Sequence, residues 1–473
     1  MTGPDAAAEK RGFVPTWSSR RAVYAAAALA GLVGLAVAGF LGVRARVGVS
    51  FSSDTYSYLV WARRALEQGE LGHTPYDFTA PKPLELLMAT IGELAGAPVA
   101  FFGSWAMLSL LLAVVAAAAL AGRIAGVPAA VAAGILALAL PALVLHGYAA
   151  DSTVPFAACV VGAAAVAPRR PGAAAVLLGV GGLLRPEAWG LAALQAVLSW
   201  PRAHFRQRAL AVASIVVPPA IWITFDWIAT GDPLYGAHAV ERFGVRKVPA
   251  GEVPGVVEHL LPEVAGWPLV ALAAAGLVLG LRRRPLDPAV VFPIALTLGL
   301  LVELQLALVG AQSLGRYGLA LFLFLPVGAA VLLGSIPGRA KFAALGIGVG
   351  LCIAAVAGEL GDIRDFHERR GATAGELERK MGAATRKAAA AGGLVATESQ
   401  WQGALSLYGR VPRERIVPIG EVGKDVRPEQ VRAYLVHVRL QAKREGPAAA
   451  LGEPRPVARS TRWRLYVPGG SLR

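Results

Sequence analysis

A chain of 473 residues that is 55% hydrophobic and only 16% charged does not have the composition of a soluble globule, since soluble domains carry about 25% charged residues. Its two cysteines, Cys159 and Cys352, both sit in apolar runs and form no CxxC pair, which argues against a disulfide framework or a thiolate metal site. The net charge of +15 comes with no nucleic-acid-binding motif, so nucleic acid is disfavoured as a partner.

Residues 1–21 are polar and basic and read as a cytoplasmic tail. The apolar run at 22–43 is long for a signal-peptide core and predicts a retained first helix. Further apolar blocks follow, of the length that crosses roughly 30 Å of hydrocarbon, where backbone groups must be satisfied inside helices. The predicted spans are 22–43, 98–122, 127–146, 153–168, a broken pair at 173–184 and 186–200, 209–229, 265–281, 289–309, 318–334 and 342–359. The expected fold class is therefore mainly α: a polytopic transmembrane core of about eleven helices over 22–359. Two long loops, 44–83 and 230–264, interrupt it.

Charge orients this layout. With the N-terminus in the cytoplasm, the inner segments collect Lys10, Arg11, Arg20, Arg21, Arg123, Arg169, Arg170, Arg202, Arg206, Arg208, Arg282, Arg283, Arg284, Arg339 and Lys341, against the acids Asp5, Glu9 and Asp287. The long loops fall on the other face, as the positive-inside rule expects of a multi-pass plasma-membrane protein. An odd number of spans then places residues 360–473 outside. That tail lacks long apolar runs and carries 21 basic and 12 acidic residues. A helical stretch near 375–391 and β-like runs at Gly393–Thr397, Arg415–Ile419, Ala433–Val438 and Trp463–Val467 predict a small exoplasmic α/β domain. Its charge suits anionic lipid headgroups or an anionic polymer, or simply keeps the domain soluble.

Ionisable residues at the outer ends of the spans carry the chemical signal, because charge at membrane depth is costly. Asp54 stands in SSDTYSY, just past the first span, ahead of an amphipathic stretch from Tyr56 to Gln68 expected to lie along the membrane surface. Lys82 is set between Pro81 and Pro83, where the chain re-enters the bilayer. Asp151 occupies the outer turn after the third span, and Arg185-Pro186-Glu187 breaks an apolar hairpin. Asp232 and Tyr235, in GDPLY, open the second long loop, and Arg316-Tyr317 sits at the outer end of the tenth span. Carboxylates in such a place can act as a general base for a hydroxyl, and cations can stabilise a departing phosphate. Each residue also has a plain structural reading. Asp54 and Asp151 can cap the helices that follow them, Lys82 can snorkel to headgroups, Arg185 can pair with Glu187, and Asp232 can form a turn with Pro233.

Over residues 20–360 the chain resembles the GT-C superfamily of integral membrane glycosyltransferases, which use polyprenyl-phosphate-linked sugars. Asp54 in its first outer loop matches that family's acid, and Pro81-Lys82-Pro83-Leu84 is similar to the Lys-Pro segment of protein mannosyltransferases and aminoarabinose transferases. Asp151 in HGYAADSTVPFAA, the turn GLLRPEAWGLAAL and Arg316-Tyr317 resemble further family positions. The resemblance implies an inverting transferase working on the outer face. Asp54 and Asp151 would be catalytic, Lys82, Arg316 and Tyr317 would bind the donor phosphate, and Arg185, Glu187, Asp232 and Tyr235 are secondary candidates. The partners implied are a polyprenyl-phosphate-linked sugar, membrane lipids, and a glycan, lipid or protein acceptor. Many members pair two acids in the first loop. Here Ser53 and Thr55 flank Asp54, and a single carboxylate makes a poor divalent-metal site. The rival readings are a flippase for lipid-linked sugars, a glycan polymerase or ligase of another helical fold, and a non-catalytic membrane scaffold.

Overall fold

The structure is a computed structural model that describes residues 51–69, 82–236, 265–305 and 318–376, parts of 381–466, and scattered positions elsewhere, including some between 31 and 41. The first predicted span thus lies almost wholly outside the described residues, as do Arg316 and Tyr317.

Helix α1 (Ser53–Gln68) starts at a Ser52 cap and ends at Gly69, whose φ of 72° only glycine adopts readily. Its exposed residues lie at the C-terminal end, and Thr55, Tyr56, Tyr58, Leu59, Val60, Trp61 and Ala62 are all buried. The stretch expected to lie on the membrane surface is therefore packed inside the protein for its first half. Its apolar side meets side chains rather than lipid, with Phe51 placed edge-on to both Tyr56 and Phe102. Helix α2 (Pro83–Leu94) opens on a proline, which suits a first helical position, and Arg63 on α1 pairs with Glu93 on α2 at 3.1 Å.

The core follows in α3 (Pro98–Ala125), α4 (Val127–Leu138), α5 (Pro141–Tyr148), α6 (Thr153–Val166), α7 (Pro171–Gly182), α8 (Glu187–Ser199) and α9 (Phe205–Thr230). Beyond the second long loop come α10 (Trp267–Arg283), α11 (Pro288–Gln305), α12 (Leu319–Phe322), α13 (Phe324–Gly334) and α14 (Ala340–Glu376). Among the described residues, Pro98–Ala125, Phe205–Thr230 and Ala340–Gly358 are long and apolar enough to cross a bilayer alone. The predicted span 127–146 is α4 and α5, bent by 60° where Pro141 interrupts the ladder. The predicted spans 153–168 and 173–184 are helices of 14 and 12 residues, about 21 and 18 Å long at 1.5 Å per residue, and 318–334 divides at Leu323. Several predicted spans are thus shorter helices buried among longer ones, as in α3 against α6, where Ala113, Ala117, Ala157, Val160 and Ala164 are buried.

Small residues set how closely these helices approach, since lipid gives them no hydrophobic drive to associate. At Gly276 on α10 an added Cβ would collide with the backbone oxygen of Gly328 on α13. Backbone cannot move aside as a side-chain tip can, so Gly276→Val is expected to cost at least the roughly 1–3 kcal/mol of core overpacking. Thermal unfolding in detergent checks this: a midpoint lowered by several degrees is expected, and an unchanged midpoint contradicts the packing. Farther along, Arg123 at the end of α3 holds Asp287, in the turn between α10 and α11, through bonds of 3.1 and 2.6 Å.

The C-terminal region is α/β, as its sequence predicts. Helix α15 (Gly382–Ala390) precedes β1 (Leu394–Thr397), β2 (Ile416–Pro418), β3 (Val431–His437), β4 (Ala458–Arg459) and β5 (Trp463–Tyr466). The sheet order is β2-β1-β3-β5-β4, with β1 parallel to β2 and β3 and β5 antiparallel to β3 and β4. Four predicted strands appear close to their expected bounds. β4, two residues long, was not predicted, because nothing in Ala458-Arg459 alternates.

Candidate active site

The site is built where four chain segments meet. In the first, Ser52 rather than Asp54 caps α1, its hydroxyl accepting the Thr55 N–H at 3.1 Å. The capping reading of Asp54 is thereby corrected. Asp54 is the second residue of the helix, in a turn whose dipole favours negative charge. This segment is clamped to the second, the turn after α5: Ser52 N–H bonds Ala149 O at 2.8 Å and Thr55 Oγ1 donates to Ala150 O at 2.9 Å. Ala150 has φ 52°, a left-handed conformation costly for a residue with a Cβ. That strained corner presents Asp151.

Lys82 comes from the third segment. It stands immediately before α2 in extended conformation, as a residue preceding proline prefers. Its Nζ donates to Ser152 Oγ at 2.7 Å and lies 3.6 Å from Asp54 Oδ2. The two side chains are only 11% and 16% exposed, so water screens this pair less than it would a surface ion pair. The snorkelling reading of Lys82 fails for the same reason: its ammonium points into protein.

Asp151 keeps both oxygens occupied. Oδ1 accepts the Thr153 N–H at 3.0 Å and the Thr153 hydroxyl at 2.6 Å, and Oδ2 lies 3.4 Å from His146 Nδ1. Asp151 does satisfy the start of α6, as a capping residue would, and it also stands beside Lys82's partner Ser152. The fourth segment, the α7–α8 turn, supplies Arg185. Nη1 donates to Thr153 Oγ1 at 2.9 Å and Nε to Glu187 Oε1 at 3.2 Å, while the guanidinium lies 5.7 Å from the Phe156 ring centroid. The pairing of Arg185 with Glu187 anticipated from sequence is present, but Arg185 also reaches across to the Asp151 turn. The order Arg185 to Thr153 to Asp151 is a hydrogen-bonded relay.

Three members of this cluster carry no sequence motif: Ser152, Thr153 and His146. Their only signal is adjacency to Asp151 in HGYAADSTV. A fourth is Glu85, on the first turn of α2. It is 1% exposed, and Oε1 is 3.5 Å from Trp105 Nε1. Burial pushes its carboxyl up to about 8; Lys82 and the Trp105 bond oppose that rise, and Asp151 and Asp54 add to it. Asp232 and Tyr235 serve a different turn, beyond α9. Asp232 Oδ1 accepts Leu234 N–H at 3.0 Å and Oδ2 lies 2.7 Å from His238 Nδ1, and Tyr235 N–H bonds Asp232 O. The turn expected of Asp232-Pro233 is present. Among the described residues no group of three His, Cys, Asp or Glu side chains is placed to hold a metal ion.

Helix direction places the cluster. α6 leaves Thr153 and ends short of Arg169 and Arg170, α7 returns to the Arg185 turn, and α8 leaves Glu187 toward Arg202. The candidate site and the arginines at 169–170 and 202 thus fall at opposite ends of the same helices.

No protein-family model matches this sequence, and no curated protein does. Solved structures do match. ArnT from Cupriavidus metallidurans bound to undecaprenyl phosphate is 16% identical, with a TM-score of 0.61 over 93% of this chain and 99% of that one. The Archaeoglobus fulgidus oligosaccharyltransferase in its apo form is 11% identical, with a TM-score of 0.54 over 90% of this chain and 71% of that one. The arabinofuranosyltransferase AftD from Mycobacteria is 15% identical, with a TM-score of 0.51 over 96% of this chain and 40% of that one. These likenesses show that the chain shares the fold of those solved structures along most of its length.

Proposed function

We propose that the protein is an inverting glycosyltransferase that moves a sugar from a polyprenyl phosphate to an acceptor hydroxyl at the outer face of the plasma membrane. One observation carries the reading: Lys82 Nζ stands between Asp54 and Ser152, bringing a buried cation and a carboxylate from three distant segments to one point. The C. metallidurans neighbour holds undecaprenyl phosphate and an A. fulgidus neighbour holds dolichol phosphate with an inhibitory peptide, so the same class of lipid phosphate is the donor proposed here. The flippase alternative finds no support in the three neighbours described above.

In the proposed reaction the donor phosphate approaches Lys82 and draws its ammonium from Ser152. The acceptor oxygen attacks the anomeric carbon, its proton passes to Asp54, and the bond from anomeric carbon to phosphate oxygen breaks. The electron pair leaves on the polyprenyl phosphate, where Lys82 offsets the charge, and Arg316 with Tyr317 is proposed to help hold it. Asp151, fixed through Thr153 and Arg185, orients the sugar or the acceptor. Glu187 steadies Arg185, Asp232 and Tyr235 are kept as secondary candidates, and the loop 230–264 is proposed to cover the site. The N-terminus is proposed to be cytoplasmic and residues 360–473 to be exoplasmic, in keeping with the arginine-rich inner ends.

Purified protein incubated with a panel of radiolabelled polyprenyl-phosphate sugars and a membrane extract tests the class. Label is expected to move to an acceptor from at least one donor, and no transfer from any donor contradicts the reading. A finer outcome follows for the relay. Thr153→Val keeps the shape but cuts the link from Arg185 to Asp151, so kcat is expected to fall by about tenfold with donor KM little changed, as for loss of an interaction expressed in the transition state. Steady-state kinetics check it, and an equal rise in KM alone would assign Thr153 to donor binding instead.

A further inference from the structure

Glu85 occupies the third position of α2, three residues after Lys82. A glutamate there commonly turns back to bond the amide at the helix start, and an acid in a first turn is ordinarily an exposed, ionised group. Glu85 does neither. Its side chain is turned into the protein, and among the described residues Oε1 has the Trp105 indole at 3.5 Å and Oε2 is buried with no hydrogen-bond partner. Leaving a buried carboxylate oxygen unpaired is costly, and an apolar residue at this position would avoid that cost. The fold tolerates it three residues from the Lys82 ammonium.

The charges facing Glu85 can be named element by element. Lys82 is on its own segment, Asp54 comes from α1 and Asp151 from the turn before α6, while α3 contributes the uncharged Trp105. Arg185, on the α7–α8 turn that Leu84 N–H contacts through Leu183 O, is committed to Glu187 and Thr153. Asp54 and Asp151 already place two carboxylates near Lys82, and an incoming donor phosphate adds another anion. An ionised Glu85 would compete for the same ammonium and repel the donor.

We propose that Glu85 is a positioning residue of this site: buried and held uncharged near Lys82, it leaves the Lys82 ammonium to Asp54 and to the donor phosphate. This inference rests on the donor reading above. Its consequence is a sign. The neutral form prevails below about 8 and the anion above it, so donor affinity falls as pH rises through that range. If only the neutral form binds, apparent affinity scales with its fraction, which is about a tenfold loss between pH 7 and pH 9.

The test is equilibrium binding of undecaprenyl phosphate to the detergent-purified full chain from pH 7 to pH 9, for wild type and Glu85→Gln. Glutamine keeps the shape and cannot ionise. The expected result is a roughly tenfold weakening for wild type and a flat profile for E85Q, with wild-type affinity at pH 7. A flat wild-type profile overturns the proposal even if E85Q fails to fold, and so does an E85Q profile that falls like the wild type. No binding by the wild type at any pH sinks the donor reading itself, whereas binding with an unaltered pH profile sinks only the role of Glu85.

Discussion

Replacing Lys82 by Met is expected to lower transfer by about 10²- to 10³-fold, the range seen when one preorganised donor to a developing anion is removed. Methionine matches the stem of lysine and fills the same space, so the change isolates the charge. That charge is 2.7 Å from Ser152 Oγ and 3.6 Å from Asp54 Oδ2, in a place only 11% exposed. Water cannot substitute for it there. The loss should appear in both donor KM and kcat, because in the proposed reaction the ammonium meets the donor phosphate in the ground state and the leaving phosphate in the transition state. Arginine should rescue poorly: its planar fork is longer and does not replace a compact ammonium seated between a hydroxyl and a carboxylate. Steady-state kinetics with a reactive donor would decide it, and a variant with unaltered kcat/KM would remove Lys82 from the site.

Asp54→Asn should be the more selective lesion. Loss of a positioned general base costs on the order of 10²- to 10⁴-fold, and here it should fall on kcat. Donor binding should persist, because Lys82 stays in place and one negative charge has been removed from beside the phosphate. Stability should fall somewhat, because the substitution removes the carboxylate charge 3.6 Å from the largely buried Lys82 ammonium, although Ser52 and not Asp54 caps α1. A first-turn acid contributes only a few tenths of a kcal/mol to about 1 kcal/mol through the helix dipole. A variant that binds donor normally, folds normally and does not turn over is a pattern that neither a flippase nor a scaffold would give.

Much of the site is visible in the linear sequence because the membrane makes it so. Asp54, Lys82, Asp151 and Arg185 stand out as ionisable residues at the ends of apolar runs, where their cost invites a reason. The structure brings all four together, with Arg185 linked to Asp151 through Thr153. What the sequence hides follows from what hydropathy measures. It averages across Pro141, so two helices bent by 60° look like one span. It registers the amphipathic character of 56–68 but not whether the apolar side meets lipid or protein, and here protein buries Tyr56 through Ala62. Three successive residues, Ser52, Ser53 and Asp54, are able to cap α1, and only the bonds to Ala149 and Ala150 select Ser52. Glu85 has no motif at all. It reads as a helix-starting acid until its side chain is seen to face inward. Four strands of the C-terminal sheet are legible because buried β-branched and aromatic runs such as Val431–His437 carry their own signal.

The most direct measurement is the amount of polyprenyl phosphate set free per sugar transferred, by wild type and by Asp54→Asn, with donor binding followed in the same samples. One lipid phosphate released for each sugar moved is expected from the wild type, and binding without release from the variant. Equal release by both proteins, or donor carried across the bilayer with its sugar still attached, would contradict a transferase centred on Asp54 and Lys82.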